Sequence, residues 1–172
     1  MKVTLTHDGK SVELDLTTEQ MAALGLKEEK KNTGYEKGTI YCYVTSDNHV
    51  VCIPDSGSTM DLKHYNNANY YTLRSIAEAN ARADLLMRRL RRFAAENGGI
   101  PSVEDWKPSQ LDVRKFEINY DYNIKELEVY VMCTTRVIGS VYFNTREACE
   151  KAIELYRDEL TWYFTEYEAM LR

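Results

Sequence analysis

The side chains in this chain with chemistry to offer are three histidines, four cysteines and a run of arginines. A nucleophile needs an adjacent base, and acid–base work needs carboxylates in converging environments. His7 and His49 fall in segments that read as turns, and His64 in a polar loop, where histidines are usually solvated. Asp61 and His64 carry metal-ligand side chains, but no further ligand is fixed beside them. His49 and Cys52, three apart on a strand, would face opposite ways. Cys42, Cys52, Cys133 and Cys149 form no CxxC, and Gly57-Ser58 lacks a phosphate-loop pattern. The expectation is a protein that is not an enzyme, with no catalytic residues, no metal and no cofactor.

Charge and aromatic side chains carry more information. Between Arg74 and Arg92 six arginines stand against Glu78 and Asp84, a local charge of +4. Such a face can contact phosphates. It can also be a solvated helix face, with Glu78 four residues before Arg82 and Asp84 four before Arg88. From Thr145 to Arg172 four basic residues face seven acidic ones, a local charge of −3. Glu147, Glu150, Glu154, Asp158, Glu166 and Glu168 line that stretch, either to solubilise it or to occupy a basic channel. Trp162, Tyr163, Phe164 and Tyr167 spread around more than one side of the same helix, so one face can pack inward while Trp162 or Phe164 meets another surface. Arg82, Arg88, Arg89, Arg92, Trp162 and Glu166 are therefore the candidate partner-binding residues.

The elements that must position these groups are legible from periodicity. Val3 and Leu5, then Val12 and Leu14, alternate around Asp8-Gly9 as a hairpin, and Thr17 with Gln20 reads as a reciprocal helix cap. The short helix behind that cap runs through Met21 and Leu24 to Gly25, and a charged linker follows from Lys27 to Lys37. Ile40, Cys42 and Val44 return through Val50 to Ile53 about a turn at Asp47-Asn48. Pro54 to Asn69 reads as a loop. A long helix from about Leu73 to Glu96 places Ile76, Ala79, Ala83, Leu86, Leu90 and Phe93 on one face and stops at Asn97-Gly98-Gly99. Phe116 to Tyr122 alternates as a half-buried strand, Leu127 to Val131 as its partner, and Ile138 to Phe143 as a third strand. Thr145 caps a last helix running almost to the end.

The fold class is α+β: two tandem units of antiparallel strands plus one long helix, with an N-terminal hairpin and short helix. The expected divisions are 1–32, 33–99 and 100–172. Tyr71, Ala77 and Ala81 match Tyr142, Ala148 and Ala152 at a shift of 71 residues, so the two units repeat. Alanines one turn apart let a helix backbone approach its sheet.

The net charge of −5 disfavours bulk attraction to nucleic acid. No apolar run reaches the roughly 20 residues of a membrane span, and Met1-Lys2-Val3-Thr4 opens on a strand rather than a signal peptide. A cytoplasmic protein with reduced thiols follows as the expectation, the exception left open being Cys42 and Cys52, which lie symmetrically about their turn and could face each other as a disulfide.

Several segments resemble a family of small proteins from phages and prophages of Gram-positive gut bacteria. They are Thr33-Gly34-Tyr35-Glu36, Tyr65-Asn66-Asn67-Ala68-Asn69-Tyr70-Tyr71, Leu86-Met87-Arg88-Arg89-Leu90-Arg91-Arg92-Phe93, Tyr142-Phe143-Asn144-Thr145-Arg146-Glu147-Ala148, and the stretch from Arg157 to Tyr167. Most members have no assigned activity, and some resemble anti-CRISPR proteins, which bind a Cas9 nuclease and block it. The resemblance implies a non-enzymatic inhibitor in the bacterial host cytoplasm, with a host protein or ribonucleoprotein such as Cas9 with guide RNA as partner. It carries no residue-level motif. The alternatives are a nucleic-acid-binding accessory protein using the arginine helix, and an enzyme acting on a small molecule. A homodimer through the aromatic C-terminus is a further partner reading.

Overall fold

The computed structural model describes residues 2–7, 10–15, 17, 20, 38–110 and 112–171. The chain divides into two compact units, Met1–Lys37 and Gly38–Arg172. In the first, β1 (Lys2–His7) pairs antiparallel with β2 (Lys10–Asp15), with Lys2 opposite Asp15 and His7 opposite Lys10. Thr17 and Gln20 hold the reciprocal cap: the Gln20 amide donates to Thr17 Oγ1 at 3.3 Å and the Thr17 amide to Gln20 Oε1 at 2.9 Å. The expected Asp8-Gly9 turn, the short helix to Gly25 and the linker to Lys37 lie outside the described residues.

The second unit is α+β with antiparallel sheets, as the periodicity predicts. β3 (Ile40–Val44) and β4 (Val50–Pro54) form a hairpin whose turn places Asn48 at φ 69°. Asparagine tolerates that conformation because its short amide bonds locally. Cys42 spends both backbone groups on Tyr71, 2.8 Å in each direction, so it turns no backbone hydrogen bond toward β4. Cys42 and Cys52 are thus a non-hydrogen-bonded cross-strand pair, the kind whose side chains approach most closely. A disulfide joins them, the exception their symmetric placement left open and not the reduced default; Cys133 and Cys149 are free.

The segment expected as a loop from Pro54 to Asn69 contains a helix, α1 (Thr59–Asn66). Periodicity misses it because its apolar residues Met60 and Leu62 are exposed, while its buried residue is Asp61. A capping box between Ser58 and Asp61 starts it. α2 (Arg74–Glu96) follows, about 35 Å long at 1.5 Å per residue. It buries more than the one expected stripe. Ala79 and Ala83 meet Trp162, and Leu86, Leu90 and Ala94 join the main core. Ala77 and Ala81 are also buried, and the backbone carbonyl of Ala81 accepts from Asn48 in the hairpin turn. Gly98 and Gly99, at φ 105° and 89°, end the helix as expected, and a Cβ at Gly99 would press on the Asn144 side chain at 3.0 Å.

β5 (Lys115–Asp121) lies between β6 (Glu126–Met132) and β7 (Tyr142–Phe143). The third strand expected from Ile138 shrinks to two residues. Gly139 turns at φ 90° and Ile138 is fully exposed, so that stretch leaves the sheet. The single last helix also proves to be three: α3 (Arg146–Leu155), α4 (Arg157–Thr165) and α5 (Tyr167–Met170), broken at Tyr156 and Glu166. Thr145 caps α3 as predicted, its hydroxyl accepting from the Ala148 amide at 3.2 Å. Tyr156, set edge-on against Phe93, marks the first break.

The repeat has a geometric counterpart. β3 pairs with β4 on one edge and bridges Tyr71 on the other, and β5 pairs with β6 on one edge and β7, containing Tyr142, on the other. Ala77, Ala81, Ala148 and Ala152 are all buried. The two halves share one core, in which Leu86, Leu90 and Ala94 pack with Phe143, Ala152, Ile153 and Leu160. No described helix is long and apolar enough to cross a membrane.

Candidate partner-binding cleft

α4 presents Asp158 and Trp162 at i and i+4, one stripe of its surface, and Glu166 follows at the break that ends it. Opposite them α2 brings Arg82, whose guanidinium carbon lies 3.9 Å from the centre of the Trp162 ring system. Lys125 and Glu126 from the β5–β6 turn, with Tyr120, Leu127, Arg157 and Thr161, complete a cleft of about 720 Å³. Three basic and three acidic side chains line it, so it selects by arrangement of charge rather than by net charge. Trp162 is only 6 % exposed. Its ring is packed on Ala79 and Ala83 and roofed by Arg82, so a visitor meets the cation rather than the bare indole.

Of the six residues singled out from sequence, the cleft brings together Arg82, Trp162 and Glu166. Arg89 sits on the same side of α2, its Nη1 4.0 Å from the Glu159 carboxylate of α4. Arg88 lines a different cleft of about 460 Å³ with Arg91, Asp84, Asn48, Asn67 and Asn69. Arg92 is exposed. Helical geometry explains the division: seven residues return a side chain to within about 20° of its start, whereas six turn it about 240°. Arg82 and Arg89 therefore share a face that Arg88 does not.

The ion pairs expected along α2 are also rearranged. Arg74, not Arg82, pairs with Glu78, at 2.7 Å. Arg88 donates to the backbone carbonyl of Asp84 at 3.3 Å and to the Asn48 side chain, not to the Asp84 carboxylate.

A polar knot that sequence reading did not assemble lies at the start of α1. The Asp61 carboxylate accepts from Tyr41 Oη at 2.8 Å, from the amides of Ser56 and Ser58 at 3.0 and 2.9 Å, and from both serine hydroxyls at 2.8 Å. These bonds, the Ser58 amide above all, hold its carboxyl well below the usual carboxylate range. Burial, reinforced by Asp61, raises the Tyr41 phenol, so Tyr41 stays protonated and donates to Asp61. The 2.8 Å contact between Tyr41 Oη and His64 Nδ1 then requires His64 to donate through Nδ1. Tyr43 stacks on the imidazole with ring centroids 4.1 Å apart, and Tyr70 stacks on Tyr41 at 4.0 Å.

The composition is that of a Ser–His–Asp site, but the order is wrong for one. In a nucleophilic triad the imidazole stands between hydroxyl and carboxylate. Here Tyr41 stands between Asp61 and His64, and both serine hydroxyls spend their protons on Asp61. The knot braces α1 against β3. The spacing Ser58-x-x-Asp61, a capping signature, was the signal available for half of it. Cys149 is equally unsuited to chemistry, buried with its thiol pushed up to about 12. Among the described residues no group of three His, Cys, Asp or Glu side chains is placed to hold a metal ion, and Asp61 and His64 meet only through Tyr41.

No family model, no curated protein and no solved structure matches the chain.

Proposed function

We propose that the chain is a non-enzymatic binding protein that engages a partner protein at the Arg82–Trp162–Glu166 cleft. The observation that carries this reading is the Arg82 guanidinium, held on a buried indole beside Asp158 and Glu166. A cation laid on an aromatic face has less rotamer freedom left to lose on binding, which favours specific recognition. The resemblance of residues 65–71 and 157–167 to phage proteins suggests the target class: a host nucleic-acid defence nuclease of the Cas9 type with its guide RNA, inhibited through surface contacts.

The test is titration of purified protein into a Cas9–guide RNA complex from a Gram-positive gut bacterium, with DNA cleavage and co-elution as readouts. Stoichiometric loss of cleavage, reversed by Arg82→Glu with Glu166→Lys, supports the proposal. Full cleavage at a tenfold excess, with no co-eluting complex, removes the nuclease as target.

A second reading rests on the other side of α2, where Arg88 and Arg91 line a cleft with three asparagines. That arrangement suits a phosphate backbone. It predicts binding to DNA or RNA that weakens steeply with salt and is lost in Arg88→Ala with Arg91→Ala.

A further inference from the structure

The second sheet has an edge that the described chain leaves open. β5 runs for seven residues, but β7 pairs only with Phe116 and Glu117, and residues 118–121 pair with β6 alone. Alternate residues of an antiparallel strand turn their N–H and C=O to the same side, so two of these four offer backbone groups to the vacant edge.

Beside that edge, residues 137–141 diverge from β5 and leave a groove of about 350 Å³, with Glu117, Asn119 and Ser140 set among mainly apolar lining residues. Leu90, Ile118, Val141, Tyr163 and Phe164 line it, and the fully exposed Ile138 stands at its rim. β7 bounds one end of the open edge; near the other, Tyr122 Oη donates to the Phe164 carbonyl at 2.6 Å. Four strand residues at about 3.3 Å each span roughly 13 Å.

The two faces of the sheet make different demands on whatever lies along this edge. Phe116, Ile118, Leu127 and Val129 face the core. By the period of two, Glu117, Asn119 and Asp121 of β5, with Glu126, Glu128 and Tyr130 of β6, face the other way. Four of those six are carboxylates, and neither 117–121 nor 126–130 contains a lysine or arginine. A strand laid beside β5 would direct one set of side chains into the groove and the alternate set beside Glu117 and Asp121, where opposite charge is favoured across neighbouring strands.

We propose that the open edge of β5 is a strand-addition site for an extended segment of a partner protein in which apolar and basic residues alternate. Main-chain hydrogen bonds hold the segment, the groove selects its apolar residues, and the carboxylates select its lysines or arginines. The site adjoins the Arg82 cleft at Tyr120, but neither its main-chain hydrogen bonds nor its groove uses Arg82.

The probe is a fluorescein-labelled heptapeptide, Lys-Val-Lys-Val-Lys-Val-Lys, followed by anisotropy and by amide hydrogen exchange on the intact protein. The proposal expects saturable binding and slowed exchange at residues 118–121. It expects at least tenfold weaker binding of a peptide with the same residues in block order, Val-Val-Val-Lys-Lys-Lys-Lys. The variants Ile138→Asp and Glu117→Lys with Asn119→Lys should each lose tenfold or more, while Arg82→Glu leaves binding unchanged. Equal binding of alternating and block peptides would reduce the site to bulk electrostatics and overturn the proposal. So would unchanged exchange along β5, or light scattering that shows a dimer whose β5 amides are already protected without peptide, the edge then belonging to a second copy.

Discussion

The two hairpin-and-helix halves of the second unit share a strand order but are closed by different forces. The first closes around polar and covalent ties. The Cys42–Cys52 disulfide links β3 to β4, Asn69 exchanges two 2.8 Å side-chain hydrogen bonds with the Val44 backbone, and the Tyr41–Asp61–His64 knot braces α1. The second closes around apolar packing: Phe143, Cys149, Ala152 and Leu160 are each at most 1 % exposed. A half welded by directional bonds has little freedom to accept a new strand. A half held by side chains beneath its sheet leaves the sheet's own edge for another use. That difference places the adaptable surface on the later half and the bracing on the earlier one.

The comparison breaks most visibly at Phe143. Truncating a fully buried phenylalanine costs about 3–5 kcal/mol, through lost burial and the cavity left behind. Phe143→Ala should lower the urea midpoint by that equivalent, and a loss below 1 kcal/mol would mean the later half is not held by its core. Reduction of the disulfide is the matching test of the earlier half. Releasing a cross-link that spans 10 residues should cost about 2–3 kcal/mol on loop entropy. Dithiothreitol should lower the midpoint of the natural chain and leave that of the Cys42→Ser, Cys52→Ser variant unmoved.

Acid sharpens the contrast. The folded protein holds the Asp61 carboxyl below its unfolded value, so the unfolded chain binds the proton first as pH falls. The stability Asp61 contributes is complete above the unfolded value of about 4 and is lost as pH drops through the folded one. Asp61→Asn should be less stable at pH 7 and should show a shallower decline between pH 5 and 2 in urea titrations. A variant with the full acid slope would assign that slope to other carboxylates.

What was legible in the sequence followed from periodicity, and what was not lay in contacts between distant residues. β3, β4, β5, β6 and α2 carry the alternating or 3.6-residue apolar patterns that burial imposes. α1 carries none, because its inward group is a carboxylate satisfied by five donors. Ile138 to Phe143 alternates well enough to read as a strand, yet the turn at Gly139 takes Ile138 into solvent. Arg82, Trp162 and Glu166 were each recognisable as candidates. Their convergence was not, because 80 residues separate Arg82 from Trp162 and the direction of α4 changes at the break at Tyr156. The arginine face divided for a local reason, the angle between positions 82 and 88, which sequence alone did contain.

The smallest test concerns how each repeated helix begins. α3 starts at Thr145, whose hydroxyl accepts from the Ala148 amide, while α2 starts at Leu73, extended at φ −121° and ψ 130° with no side-chain cap. Leu73 is 55 % exposed, so its side chain supports little packing. Removing a threonine cap costs about 1 kcal/mol, and supplying an absent one returns a similar amount. Thr145→Ala should therefore lose about 1 kcal/mol, and Leu73→Asp should gain about 0.5–1 kcal/mol, aided by the favourable field of a helix N-terminus for a carboxylate. Opposite signs at equivalent helix starts would show that α2 is positioned by the elements on either side of it rather than by its own first turn. A loss at both sites would mean that Leu73 packs in solution, and the contrast between the two helix starts would then disappear.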